Sequence, residues 1–188
     1  MTRTTVHQLK ITLRNVKPPV WRRIVVRSDT TLAELAAVLE AAMGWLGSHL
    51  HVFEVGRTRY GMLDPDWDTD DLDESKFRLG GVLSDVGSKM RWDYDFGDGW
   101  EHEVLVEAID PPEPEVDYPI CVTGRRACPP EDCGGPWGYE ELVNVLADPN
   151  QPDPNEIREW ISEFDPTEFD VGETTAAMRS PRPLGRWS

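Results

Sequence analysis

Three of the four histidines lie in segments that resemble β-strands rich in aromatic and aliphatic residues. His49 and His51 belong to HLHVFEV, and His102 belongs to WEHEVLVEAI. Side chains two residues apart on a strand point to the same face, which places His51 and His102 on the apolar sides of their strands. Imidazole binds zinc and other borderline metal ions, so these histidines, with Trp45 and Trp100, form a predicted ligand-binding site. The alternative is a set of core histidines that hydrogen-bond within the protein.

Three cysteines lie near one another in CVTGRRACPPEDCGG. Cys121, Cys128 and Cys133 are separated by six and four residues, and three thiolates with one histidine would make a tetrahedral zinc site. One alternative is a compact loop with small buried cysteines. Another is a reactive cysteine whose pKa is lowered by Arg125 and Arg126. Zinc at a structural site is therefore the predicted cofactor.

The segment YDFGDGWEHE carries acidic groups at a predicted hairpin turn. Asp95 and Asp98, combined with His51 or His102, would supply the oxygen and nitrogen ligands with which metal-dependent hydrolases and nucleases activate water. His102, Asp95 and Asp98 are the candidate catalytic residues of that alternative, together with His49 and His51. The competing interpretation is a hairpin with an Asp-Gly turn and a solvated acidic face.

The charge of the chain restricts its partners. Its 188 residues include 19 Lys+Arg and 35 Asp+Glu, for a net charge of −16. Binding a nucleic-acid backbone needs many basic side chains, so general electrostatic binding of nucleic acid is excluded. Residues 1–60 carry +5 and residues 61–188 carry −21, which leaves only a local contact through the basic N-terminal hairpin. The residues of that contact are Lys10, Arg14, Lys17, Trp21, Arg22 and Arg23.

Several common catalytic and targeting motifs are absent from the sequence. It contains no phosphate-binding loop, dinucleotide-binding glycine motif or hydrolase nucleophile elbow. No apolar run approaches the ~18 residues of a membrane span, and the N-terminal segment lacks the apolar region of a signal peptide. Three cysteines, an odd number, argue against a disulfide framework. We therefore expect a cytoplasmic protein. Its expected partner is an unknown protein or small ligand, and we expect no contact with a membrane.

Hydrophobic periodicity predicts the elements that must position these groups. Alternation with period two predicts strands, and an apolar stripe with a Thr31/Glu34 capping box and a stop at Gly44 or Gly47 predicts a helix. The acidic segment 64–74 predicts a solvated loop. The predicted strands are 6–15, 21–27, 49–55, 58–63, 89–96 and 100–109, and the predicted helices are 31–43, 139–146 and 155–164.

The order of these elements predicts an α+β fold. Strands and helix follow one another as β-β-α-β-β, then come a long hairpin and small C-terminal helices. This order favours a mixed or antiparallel sheet with the main helix on one face, and a β-grasp-like arrangement is one way to close it. We expect one domain over residues 1–170 and a flexible C-terminal tail over 171–188. Hydrophobic residues make up only 39% of the chain, but eight tryptophans add buried area.

Five blocks carry a resemblance to a known family. In chain order they are PPVWRRIVV, TLAELAAVLEAAMGW leading into HLHVFEV, YDFGDGWEHEV, CVTGRRACPPEDCGGPWGY and EWISEFDPTEFD. They resemble the plasmid pRiA4b ORF-3-like family, also labelled the insertion-element passenger TnpR family, from about residue 5 to 170. The resemblance implies an α+β fold, a largely unknown function and, by the label, a resolvase on a mobile element. The nucleophile and arginine set of a recombinase cannot be assembled from this sequence.

These observations together predict a cytosolic binding or accessory module, with zinc held by Cys121, Cys128, Cys133 and one histidine. A metal-dependent hydrolase or nuclease that uses the His/Asp residues is the first alternative. A DNA-associated accessory protein of a mobile element is the second.

Overall fold

The computed structural model describes residues 4–63, 69–148, 150–153, 156–161 and 163–181, without the side chain of Trp160. The described residues form eight strands: β1 Val6–Leu13, β2 Trp21–Arg27, β3 His51–Val55, β4 Thr58–Gly61, β5 Leu72–Asp73, β6 Lys89–Tyr94, β7 Trp100–Asp110 and β8 Ile120–Arg125. They also form five α-helices: α1 Leu32–Met43, α2 Leu79–Val82, α3 Gly135–Ala147, α4 Ile157–Trp160 and α5 Val171–Arg179.

All eight strands belong to one sheet in the order β5-β4-β3-β6-β7-β1-β2-β8. Neighbouring strands are antiparallel except β4 and β5, which are parallel. Along β7 buried and half-buried residues alternate from Trp100 to Glu107, as expected for a strand with one face on the core. The predicted α+β class with a mostly antiparallel sheet is confirmed, while the finer β-grasp-like closure stays a prediction.

Helix α1 covers the inner face of the sheet. The hydroxyl of Thr31 accepts from the backbone N–H of Glu34, and the Glu34 carboxylate accepts from the backbone N–H of Thr31, which forms the predicted capping box. Gly44 ends the helix at φ 86°, in the left-handed region that glycine tolerates best. The helix residues that face the core are Leu32, Leu35, Ala36, Leu39, Ala42 and Met43, and all are buried.

The hairpin between β6 and β7 turns where the sequence predicts it. Tyr94 pairs with Trp100 at the end of the ladder. The backbone N–H of Gly99 donates to the carbonyl of Asp95, and Gly99 has φ 70°. The hairpin begins with Asp95 itself at φ 55°, a left-handed conformation that Asp and Asn adopt more readily than other non-glycine residues. Asp95 is thereby held beside the end of β3.

The prediction of a flexible C-terminal tail over 171–188 is wrong for residues 171–179. Residues 171–179, expected in a mobile tail, form α5, whose first turn is capped by Asp170 and whose Met178 is 1% exposed. The helix packs against α1 and β8, and this tertiary contact is what a periodicity argument misses. The remaining tail residues 182–188 lie outside the described residues.

The acidic segment 64–74 is likewise not solvated throughout. Residues 64–68 lie outside the described residues, but Leu72–Asp73 pair with β4 and Glu74 is 3% exposed. Its carboxylate pairs with His51 at 2.9 Å, which compensates the charge that is buried there. In the described part of the chain, no helix is long and apolar enough to cross a membrane.

Candidate metal centre

Three separate segments bring His49, Asp95 and Asp132 together. His49 lies in the loop after α1, Asp95 opens the turn between β6 and β7, and Asp132 lies in the cysteine-containing loop before α3. His49 Nδ1 is 3.6 Å from an Asp95 carboxylate oxygen, and His49 Nε2 is 3.5 Å from an Asp132 carboxylate oxygen. One ligand atom from each residue lies within 4.8 Å of the other two. The imidazole therefore lies between two carboxylates, with one on the side of each ring nitrogen.

Asp95 is the buried member of this triad. Asp95 is 7% exposed, and its Oδ1 accepts from the backbone N–H groups of Gly97 and Asp98. The other carboxylate oxygen is left facing His49. The turn therefore fixes the orientation of this carboxylate before any ligand binds.

Asp132 forms the open side of the triad. Its side chain is 76% exposed, and its backbone has φ 58°. An ion held here would be reached from solvent, so water or an exogenous ligand could complete its coordination.

Glu131 and Tyr94 stabilise the same region through hydrogen bonds. Tyr94 Oη donates to Glu131 Oε1 at 2.7 Å, and the backbone N–H of Leu46 donates to the same oxygen at 3.1 Å. The rings of Tyr94 and His49 meet edge to face with centroids 5.7 Å apart. Burial and the adjacent Glu131 carboxylate raise the pKa of Tyr94, so its hydroxyl stays a donor.

The charges around the triad favour a cation. Asp98 lies in the same turn as Asp95, and its carboxylate accepts from the backbone N–H of Gly134. In the described part of the chain, Asp95, Asp98, Glu131 and Asp132 form no ion pair with lysine or arginine. Among the described residues, these four carboxylates thus lack a basic side chain to compensate them, and two of them, Asp95 and Asp132, flank His49.

His51 belongs to a different, buried arrangement. Its Nε2 is 2.9 Å from Glu74 and its Nδ1 is 3.5 Å from Glu40, and all three side chains are at most 3% exposed. Burial alone lowers the pKa of His51, but the hydrogen bond and charge of Glu74 and the charge of Glu40 outweigh it and raise that pKa. Burial raises the pKa of Glu40 to about 7. Glu40, His51 and Glu74 therefore form a buried cluster of ionisable groups in the core.

His102 and the two tryptophans predicted with it are part of the core. His102 is 0% exposed, its Nδ1 lies 3.1 Å from the Trp92 carbonyl, and burial lowers its pKa to about 3. The imidazole ring of His102 is therefore neutral. Trp45 stacks on Tyr94 with ring centroids 4.8 Å apart, and Trp100 is 1% exposed. His51, His102 and Trp100 are buried in the core, Trp45 is 6% exposed, and His49 is the member of the predicted set that lies with two carboxylates at an accessible site.

The three cysteines do not form the predicted set of zinc ligands. Their ligand atoms do not lie within 4.8 Å of one another, because different elements hold them. Cys128 Sγ lies 3.2 Å from an Arg22 nitrogen and 3.5 Å from Met43 Sδ, whereas Cys121 faces the backbone carbonyls of β2 and β8.

A reactive thiol is not favoured either. Burial raises the pKa of Cys128 to about 11 although Arg22 opposes it, and burial with the charge of Asp98 raises that of Cys133 to about 12. Burial also raises the pKa of Cys121. Thiols with such pKa values stay protonated at neutral pH.

The basic N-terminal hairpin offers less free charge than its sequence suggests. Arg22 is 3% exposed and donates to backbone carbonyls. Arg23 forms a two-bond ion pair with Glu107, and Arg14 lies 3.6 Å from Glu103. The predicted local nucleic-acid contact therefore loses the buried Arg22, and two of its other cations are paired.

Sequence reasoning missed Asp132, Glu131 and Glu40. The first two lie within CPPEDC. The metal-site prediction there uses the cysteines and not the two acids between them. Glu40 follows the apolar stripe of α1 and reads as a surface residue. The sequence predicts Asp95 and Asp98 as metal ligands, and the structure brings Asp95 into the triad with Asp132.

Fold and site together describe a mixed α+β protein with one large, mostly antiparallel sheet and an acidic surface site. Comparison with protein families places it further: residues 5–173 match the family described as Plasmid pRiA4b ORF-3-like protein. The chain belongs to this family.

Two relatives show how far this similarity extends. The chain is 40% identical over 162 residues to the "Uncharacterized protein y4hQ" of Sinorhizobium fredii (strain NBRC 101917 / NGR234), which covers 86% of this chain and 83% of that protein. It also resembles the crystal structure of a protein of unknown function, MM3350 from Methanosarcina mazei Go1. That similarity has a TM-score of 0.82 and 34% identity, over 92% of this chain and 98% of the other. Both relatives are described as uncharacterised or of unknown function.

Proposed function

We propose that this protein binds one divalent transition-metal ion, Zn²⁺ or Mn²⁺, at His49, Asp95 and Asp132. The observation that carries the proposal is the convergence of three ligand atoms within 4.8 Å from three separate segments. Bonds of about 2.1 Å to a common ion place ligand atoms roughly 3 to 4.2 Å apart, and the 4.8 Å limit of the triad lies close to that spacing.

The chemistry of the three ligands determines which ions the site prefers. One imidazole favours zinc and similar transition ions, while two carboxylates favour harder ions such as manganese. Thiolates, which select softer ions, are absent from the triad. The buried Asp95 carboxylate has no lysine or arginine partner in the described residues, and a bound cation would neutralise it.

Calorimetric titration of protein purified without a histidine tag and stripped with a chelator tests the proposal. We expect one Zn²⁺ or Mn²⁺ per chain, and a loss of affinity of at least about tenfold in His49→Ala and in Asp132→Asn. Asp110→Asn, which removes one exposed aspartate far from the triad, is the matched control and should bind like the wild type. Affinity that is equal in Asp132→Asn and Asp110→Asn would refute the site.

A second candidate function is metal-dependent hydrolysis. The exposed Asp132 leaves the solvent side of the ion open, and an ion with open positions can bind and activate water. A panel of chromogenic ester, phosphoester and amide substrates with metal-loaded protein tests it. Turnover that disappears in Asp95→Asn but persists in Asp110→Asn supports hydrolysis, and no turnover by the metal-loaded wild type leaves the protein as a binding module.

A further inference from the structure

A cavity of about 920 Å³ lies beside the candidate metal centre. Its walls come from the C-terminal end of α1, the loop 127–131, the segment 164–170 and α5. This volume falls within the ~300–1,000 Å³ typical of small-molecule sites. Nothing in the metal proposal uses this space.

The interior of the cavity is mainly apolar. Met43, Leu46, Pro130, Phe164 and Phe169 contribute carbon and sulfur surface. Such walls favour a ligand with an apolar body, because burying that body removes hydrocarbon surface from water.

Among the described residues, Arg22 is the only basic side chain that lines the cavity, and it is already bonded within the protein. Arg22 donates to the carbonyls of Trp21, Ala42 and Arg125 and to Cys128 Sγ. The ring of Phe169 covers its guanidinium at 4.4 Å. Arg22 is 3% exposed, so it holds the walls together and is not available to an anionic ligand.

The remaining charges of the cavity are negative. Glu131, Glu168, Asp170 and Glu173 line it, and in the described part of the chain none forms an ion pair with lysine or arginine. The C-terminal end of α1 also opens onto the cavity and has no basic residue in its last turn. A helix C-terminus carries a partial negative charge and a helix N-terminus a partial positive one. The end of α1 therefore adds to the four carboxylates, while the start of α5, which Asp170 caps, offsets part of their charge.

We propose that this cavity binds an organic cation with an apolar body, such as an ammonium group on a hydrocarbon or aromatic framework. The apolar walls hold the body and the acidic rim holds the cationic group. The aromatic faces of Phe164 and Phe169 can contribute cation–π attraction. Phosphates and other polyanions are rejected by the same carboxylates.

The cavity and the metal centre share two loops. The segment after α1 lines the cavity at Trp45 and Leu46 and then supplies His49. The loop before α3 lines the cavity at Glu131 and then supplies Asp132. A cation bound in the cavity therefore lies next to the metal centre, although its recognition does not depend on a metal.

Fluorescence titration with dansylcadaverine, which joins an apolar fluorophore to a primary ammonium, tests the proposal. Two analogues of equal length carry a methyl or a carboxylate in place of the ammonium. In EDTA and about 150 mM NaCl, we expect the ammonium probe to bind about tenfold more tightly than the methyl analogue and the carboxylate analogue to bind least. Equal affinity for the ammonium and carboxylate probes would overturn the proposal.

Variants separate this cavity from the general acidity of the chain. Glu168→Gln/Glu173→Gln should weaken the ammonium probe about fivefold, since two rim charges are lost. Glu113→Gln/Glu115→Gln removes two exposed acids outside the cavity and should have no effect. Equal losses in the two double variants would overturn the proposal. Because EDTA removes metal ions, the outcome is independent of the metal proposal.

A cavity-filling variant checks the location. Ala177 is exposed on α5 and lines the cavity, so Ala177→Trp should abolish probe binding while circular dichroism shows an intact fold. Retained binding in folded Ala177→Trp would overturn the assignment. A dansylated Leu-Lys dipeptide distinguishes the two sources of such a cation: tighter binding than dansylcadaverine indicates a peptide side chain, and weaker binding indicates a free amine.

Discussion

The buried Glu40–His51–Glu74 cluster makes the stability of this protein depend on pH. Glu40 is 3% exposed, and its Oε1 lies 3.5 Å from His51 Nδ1 without a hydrogen bond to any described residue. Burial above all raises its pKa from 4.5 to about 7; the charge of His51 opposes this change, and the charges of Glu74 and Glu131 support it. Ionising this carboxyl is therefore harder in the folded than in the unfolded chain.

The sign and size of the effect follow from linkage between proton binding and folding. A carboxyl with a raised pKa in the folded state stabilises the fold below about pH 4.5, and this contribution is lost as pH rises through about 7. The difference between the two pKa values corresponds to about 3 kcal/mol. His51, whose pKa is also raised, acts in the same direction, because its stabilising contribution is lost as pH rises above its pKa in the fold.

Glu40→Gln removes the ionisation and keeps the shape of the side chain. We expect this variant to match the wild type near pH 4 and to be more stable by up to about 3 kcal/mol near pH 8.5. Urea unfolding followed by tryptophan fluorescence at several pH values measures the difference. Glu140→Gln, an exposed glutamate of α3, is the control and should leave the pH profile unchanged.

Two results would refute this reasoning. The first is a wild-type free energy of unfolding that stays constant between pH 5 and pH 8.5. The second is a Glu40→Gln profile parallel to that of the wild type, which would show that Glu40 ionises in the folded protein as readily as in the unfolded chain.

Three further substitutions test the fold. Met178→Ala should lower the free energy of unfolding in urea by about 2–3 kcal/mol, since the side chain is 1% exposed; an unchanged value would mean that 171–179 does not pack on the domain. Gly138→Ala should cost at least about 2 kcal/mol, because an added Cβ would lie 1.8 Å from the carbonyl oxygen of Cys133. Gly81→Ala meets open space and is the matched control; equal unfolding temperatures of the two variants would contradict the close contact. Thr31→Ala should cost about 1 kcal/mol through loss of the N-cap, and Thr31→Ser should restore it; thermal unfolding followed by circular dichroism compares the two, and equal stabilities would contradict the capping role.

Local patterns in the sequence determined most of the central fold. Alternation predicts β2 over Trp21–Arg27 with the bounds that the structure has, and the capping box and Gly44 bound α1. These features depend on residues within one or two turns or along one strand. The pleat likewise predicts that His51 and His102 point to the core, and both are buried. The physical forces that decide such features act between near neighbours in the chain.

The tertiary structure alone decided which chemical groups meet. His49, Asp95 and Asp132 come from three loops, and their convergence depends on the strand order β3-β6-β7 and on where the loop before α3 returns. The same long-range packing buries Glu40 and Glu74 around His51. No local rule predicts it, because a buried charge is tolerated only when a partner from a distant segment compensates it.

The cysteines show the converse. Their spacing in the chain invites a zinc site, but β8 carries Cys121 into the sheet and Arg22 holds Cys128 against α1. The sequence of this loop supplies both thiols and carboxylates as possible metal ligands. The fold decided that the acids of the same loop, and not its thiols, face His49.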